Sequence, residues 1–228
     1  MAGMASVVAA AAVYAAMWLG YGQGWGWLNA VDSSCLRVLY DVGVKHPLWV
    51  RFWDLFCDVF SPGTFRLLGL AVAVILLLRR RWRAAALVFV SIEFSELISG
   101  TAKGLSNRPR PVTAFVHASS SAFPSGHALG SIVGVLALLT VSSPSMSRSG
   151  RVVAAVVGVL LVLAVGFGRV ALNVHHPSDV LAGWALGYLF FVLCRVVSGV
   201  AARRLRRRRV SDPEPGSAAS PPACPRSA

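Results

Sequence analysis

Six stretches of this 228-residue chain are apolar for about as long as the hydrocarbon of a bilayer requires. They run over 4–20, 63–79, 84–102, 125–142, 152–168 and 179–200. Composition agrees: 56% of residues are apolar and 14% charged. An average soluble domain is about 45–50% apolar and about 25% charged. The expected fold class is therefore all-α, a six-span transmembrane helical bundle. A cleaved leader at 1–20 would begin with basic residues. This run has none, so it reads as a span.

Between the first two spans, residues 21–62 carry four of the seven tryptophans, Trp25, Trp27, Trp49 and Trp53. Amphipathic aromatics prefer the headgroup zone, so the segment reads as interfacial helices. A packed loop is the plainer reading.

The charge is lopsided, with Lys+Arg 22 against Asp+Glu 9. On a soluble domain that balance would suggest nucleic acid. Placement decides otherwise. Arg79, Arg80, Arg81 and Arg83 fall between spans two and three, and Arg148 and Arg151 between spans four and five. Arg195, Arg203, Arg204, Arg206–Arg209 and Arg226 follow on the same side. By the positive-inside rule this side is cytoplasmic, with both termini. The organisation expected is a membrane domain over 1–202, with its motif core at 84–200, and a basic, Pro/Ser-rich disordered tail over 203–228. That tail is expected to meet anionic lipid, not nucleic acid. Cys35 and Cys57 lie on the outward side, where a disulfide is permitted, but spacing alone does not pair them.

Three polar clusters interrupt the apolar pattern, and the topology puts all three on the outer face. The first is KGLSNRPRP over 103–111, with Lys103, Arg108 and Arg110. Alone it reads as a basic loop among headgroups. The second is FPSGH over 123–127, with Ser125, Gly126 and His127 where a helix starts. Free N–H groups there bind anions, though a simple helix cap explains the residues equally well. The third, GRVALNVHHPSDVLAG over 168–183, holds Arg169, His175, His176 and Asp179. His175 and Asp179 can share a helix face if the sixth helix begins by Pro177. A carboxylate beside an imidazole fixes its tautomer and sharpens its nucleophilicity. Cations, a hydroxyl, two histidines and a carboxylate around one space suit phosphoryl transfer, where spreading negative charge must be neutralised.

Read as Lys103…Arg110-Pro111, Pro124-Ser125-Gly126-His127 and Arg169…His175…Asp179, the clusters follow the order and spacing of K-x6-RP, PSGH and SR-x5-H-x3-D. The chain thus resembles the integral-membrane members of the type 2 phosphatidic acid phosphatase family, whose superfamily includes vanadium haloperoxidases and glucose-6-phosphatase. The resemblance implies metal-independent dephosphorylation of a lipid phosphate or polyprenyl diphosphate at the outer face. It makes His175 the nucleophile, Asp179 its orienting partner and His127 the general acid and base. Lys103, Arg110, Ser125, Gly126 and Arg169 then hold phosphate, with no metal and no cofactor. A lipid phosphotransferase would use the same phosphohistidine, and a non-catalytic scaffold with a polybasic tail is the reading from another class. Spacing selects His175 over its neighbour His176. Gly168 stands where the motif has serine, which removes one hydroxyl. At membrane depth, Glu93 and Glu96 are expected to be paired or functional. Glycines at 126, 130, 134, 183 and 187 are expected to let helices approach closely.

Overall fold

The computed structural model describes residues 2–199, and the expected tail at 203–228 lies outside them. Eight α-helices follow in order: α1 (Ala2–Gly22), α2 (Gly26–Lys45), α3 (Pro47–Val59), α4 (Pro62–Leu78), α5 (Trp82–Ser106), α6 (Gly126–Ser142), α7 (Arg148–Ala171) and α8 (Pro177–Val197). Helices α1, α4, α5, α6, α7 and α8 match the six expected spans, and no strand occurs among the described residues.

Local chemistry sets the breaks. Ser61 caps α4, its hydroxyl accepting from the Thr64 N–H, and Pro62 fills the first helical position. By length and composition Pro47–Leu78 forms one candidate span, and this Ser-Pro pair divides it into α3 and α4. Ser147 caps α7 in the same way. Helix α5 continues one turn beyond the expected limit of 102 and stops at Asn107, which is left-handed at φ 47°.

Contacts between helices fix their directions. Near its start α1 meets the middle of α8, where the Ser6 and Tyr188 hydroxyls lie 2.6 Å apart. Tyr14, Trp18 and Tyr21, later in α1, pack on Phe123 just before α6. So α1, α5 and α7 rise toward one face, and α4, α6 and α8 descend from it. Both ends of the described chain lie at the opposite face, and α2, α3 and the 107–125 loop gather at the first.

Helix α6 is central, packed by α4, α5, α7 and α8. Leu87, Val88, Ile92, Leu129, Val133 and Phe191 form the core among α4, α5, α6 and α8. Lipid tails are as apolar as these side chains, so close packing holds the helices together rather than exclusion from water. A Cβ on Gly183 would sit 2.6 Å from the Ser125 carbonyl oxygen, and one on Gly187 2.8 Å from that of Leu129. These glycines bring α8 onto the α6 backbone, as expected of small residues at this spacing. The long aliphatic side chains of α7, such as Val152, Val156 and Leu160, point outward. Glu93 is paired: its carboxylate accepts from Arg66 Nε at 3.0 Å.

Candidate active site

The site grows from four helix ends that meet at one face. Lys103 sits in the last turn of α5, and its ammonium donates to Ser120 Oγ at 2.9 Å. Arg110 lies in the following loop, which Pro109 and Pro111 keep from helical form. Its Nε donates to the Ser120 carbonyl at 2.8 Å, and one terminal nitrogen donates to the Val174 carbonyl at 2.8 Å. Gly126 opens α6, with His127 beside it. Arg169 occupies the last turn of α7 and is 6% exposed, with no hydrogen-bond partner for its Nε.

Lys103, Arg110, Gly126, His127, Arg169 and His175 line one cavity of about 420 Å³. Topology and motif spacing had assigned these six to one site, and the fold gathers them. Ser125 and Asp179 stand behind the wall, both fully buried. The Ser125 N–H donates to the Asp179 carbonyl at 2.9 Å, which ties the start of α6 to the start of α8. Its hydroxyl has no partner among the described residues.

His175 precedes α8 instead of lying on it, so a shared helix face does not explain its approach to Asp179. The capping turn does. Asp179 is the third residue of α8, and its Oδ2 accepts from the His176 N–H at 2.8 Å. That folds the turn back and leaves His175 Nδ1 3.6 Å from the same oxygen. Nε2 of His175 faces the cavity, 3.2 Å from an Arg110 nitrogen. Arginine can only donate, so Nε2 is the acceptor and the ring proton belongs on Nδ1, toward Asp179. This tautomer puts the Nε2 lone pair on the side of the ring where Arg110 stands.

His176 is the nearer imidazole to Asp179, with Nδ1 at 3.1 Å. It lines a different cavity, between α2 and the loop, and is absent from the wall that His175 shares.

Burial holds the His175 imidazole down to about 4, with Asp179 pulling the other way. The unfolded value is about 6.5. Stabilisation by the neutral ring is therefore complete above pH 6.5 and is lost as pH falls through 4. Between pH 7 and 4, the wild type should lose up to roughly 3 kcal/mol more than His175→Ala. Thermal melts of both across that range check it, and parallel pH curves would refute it. Burial, and then Arg169, push the Arg110 guanidinium below its usual value. It stays charged at any working pH.

Sequence reasoning assigned no role to several residues that the fold brings to the site. Arg108 is 5% exposed and bridges two carboxylates, donating to Asp179 Oδ1 at 2.5 Å and to Asp32 Oδ2 at 2.9 Å. Asp32, on α2, also accepts from the Ser178 N–H at 3.0 Å and the Ser178 hydroxyl at 2.5 Å. The Arg108 guanidinium carbon sits 4.7 Å over the Tyr21 ring. One buried network thus joins α1, α2, the loop and α8 behind the His175–Asp179 pair. Asp54 and Asp58 of α3 also line the cavity, as does Glu96 of α5, which its membrane depth had singled out in the sequence.

Gly168 also has a reason. A Cβ there would lie 2.7 Å from Cys57 Sγ and 2.8 Å from Trp53 Cε3. The space that the motif's serine would fill is taken by α3. Gly168→Ser should lower the melting point by the equivalent of about 1–3 kcal/mol. Adding Cys57→Ala should recover much of it, and an unchanged melt for the single variant would contradict this packing. Cys57 and Cys35 are both free thiols, so no disulfide joins them.

Six long apolar helices, with a cationic cavity at one face lined by His117, His127 and His175, define a multi-pass membrane protein. A family model described as the PAP2 superfamily matches residues 84–201, and the chain belongs to that superfamily. Phosphatidylglycerophosphatase B of Bacillus subtilis (strain 168) is 35% identical over 120 residues. That match covers 51% of this chain and 59% of the relative. The fold matches a crystal structure described as the first transmembrane PAP2-type phosphatidylglycerolphosphate phosphatase, also from Bacillus subtilis. The TM-score is 0.73 at 21% identity, covering 84% of this chain and 95% of that one.

Proposed function

We propose that this protein is a metal-independent lipid phosphate phosphatase working through a phosphohistidine on His175. The observation that carries the reading is the orientation of His175, with Nε2 toward Arg110 and Nδ1 toward Asp179. In the first step Nε2 attacks phosphorus in line. The bond from phosphorus to the lipid oxygen breaks, and His127 gives that oxygen a proton. Asp179 stabilises the charge that develops on the His175 ring. In the second step His127 takes a proton from water, whose oxygen attacks phosphorus; the bond from phosphorus to Nε2 breaks, which releases inorganic phosphate and restores His175. Lys103, Arg110, Arg169 and the Gly126 N–H neutralise the equatorial oxygens. Ser125 adds its free hydroxyl.

The arginine bias supports a site on the outer side of the membrane with both termini in the cytoplasm. The names of the relative and of the structural neighbour make a phosphatidylglycerol phosphate the first substrate to test. A polyprenyl diphosphate carrier, favoured by the Ala/Val- and Arg-rich bacterial style of the sequence, is the second. Transfer of the phosphoryl group to an acceptor other than water would use the same intermediate.

Phosphate release by the purified protein from a panel of lipid monophosphates and diphosphates tests this. Turnover should be unchanged in EDTA and blocked by vanadate. Abolition by EDTA would refute the scheme. Loss of substrate phosphate without release of free phosphate would establish the transferase.

A further inference from the structure

A second cavity, of about 620 Å³, opens at the end of the bundle opposite the site, among α5, α6, α7 and α8. Its walls are apolar, with Leu136, Leu139 and Phe191 among them. At its rim stand three exposed arginines, Arg81 before α5, Arg151 in the first turn of α7 and Arg195 in the last turn of α8. They come from three distant parts of the chain. Among the described residues none of the three has a carboxylate partner.

No described acid lies near them. Every described Asp belongs to α2, α3 or the start of α8, at the site face, and both described Glu lie near the middle of α5. A cationic residue that only sets topology needs to reach the membrane surface and nothing more. These three instead converge on one cavity whose depth is apolar. Apolar depth under a cationic rim is the complement of a single amphiphilic anion. Basic pockets between transmembrane helices on this side of a membrane take anionic lipid headgroups.

We propose that this cavity binds one anionic phospholipid of the leaflet at that face. The arginines hold its phosphate, and the first carbons of its chains pack on the α6 and α8 side chains. This holds whatever the chemistry at the other end, because no catalytic side chain takes part.

The test is native mass spectrometry of the full chain released from nanodiscs of equal phosphatidylserine and phosphatidylcholine. Phosphatidylserine is anionic but has no phosphomonoester for the opposite site. The wild type should retain one phosphatidylserine in preference to phosphatidylcholine. Each arginine near an anionic headgroup contributes roughly fivefold. The triple variant Arg81→Gln/Arg151→Gln/Arg195→Gln should therefore lose the preference by more than about tenfold. Ala155→Trp, which fills the cavity and leaves its charge intact, should displace the lipid. Arg169→Gln at the opposite site should retain it. Undiminished retention in the triple variant would overturn the proposal, as would loss in Arg169→Gln. Phosphatidylserine retained only after residues 200–228 are removed would assign the cavity to the chain's own tail and overturn it too.

Discussion

His175→Ala is expected to lower lipid phosphate hydrolysis by at least about 10⁴-fold, because it removes the atom that accepts the phosphoryl group. His176→Ala should cost less than about tenfold. It loses two contacts' worth of support for Asp179 only in part, since the backbone N–H of residue 176 still donates to that carboxylate. Phosphate release measured on the two variants side by side gives the comparison. The contrast follows from geometry: the two rings are adjacent in sequence but line different cavities. Substantial turnover in His175→Ala with loss in His176→Ala would exchange their roles. His127→Ala should also be severely impaired, because neither the leaving oxygen nor the attacking water would have its proton partner.

Arg108→Met carries the largest expected effect on stability. It strips one cation from two buried carboxylates, Asp32 and Asp179, and leaves both without their ion pair. Breaking a buried pair from one side costs about 3–5 kcal/mol. Thermal unfolding in detergent should show that loss, and Arg108→Met/Asp32→Asn should recover part of it. Arg108→Lys should fall between, because a single ammonium cannot present two separated nitrogens to Asp32 and Asp179. An Arg108→Met protein that melts with the wild type would show that the bridge holds nothing. Activity should fall as well, since the same bridge fixes Asp179 behind His175.

The sequence made the spans and the cavity wall legible, for different reasons. An apolar run of span length has few alternatives in a chain so poor in charge, and the arginines sort the loops by side. Lys103, Gly126, His127, Arg169 and His175 then fall at helix ends on a common face, so topology alone brings them near one another. Arg108 was not legible. It stands two residues before Arg110 in the same RPRP run, and only the folded loop sends one guanidinium into the cavity and the other behind it. Its partner Asp32 is on α2, in a segment read for its aromatics and cysteines. Helical periodicity linked His175 and Asp179 through a shared face; the approach to 3.6 Å comes instead from a capping turn, which periodicity does not describe. Gly168 read as a lost hydroxyl. Its close contact with Cys57 and Trp53 depends on how α3 lies against α7, which local pattern does not encode.

The central claim is a covalent phosphoryl group on His175, and trapping it is the most direct measurement. His127→Ala should accumulate the intermediate from a lipid diphosphate, because a phosphate leaving group departs without a proton while water has lost its base. Incubated with lipid carrying a radiolabelled terminal phosphate and quenched in alkali, that variant should hold base-stable, acid-labile label on His175. The label should vanish in His127→Ala/His175→Ala. Label that persists in the double variant, or that maps to another side chain, would contradict the account.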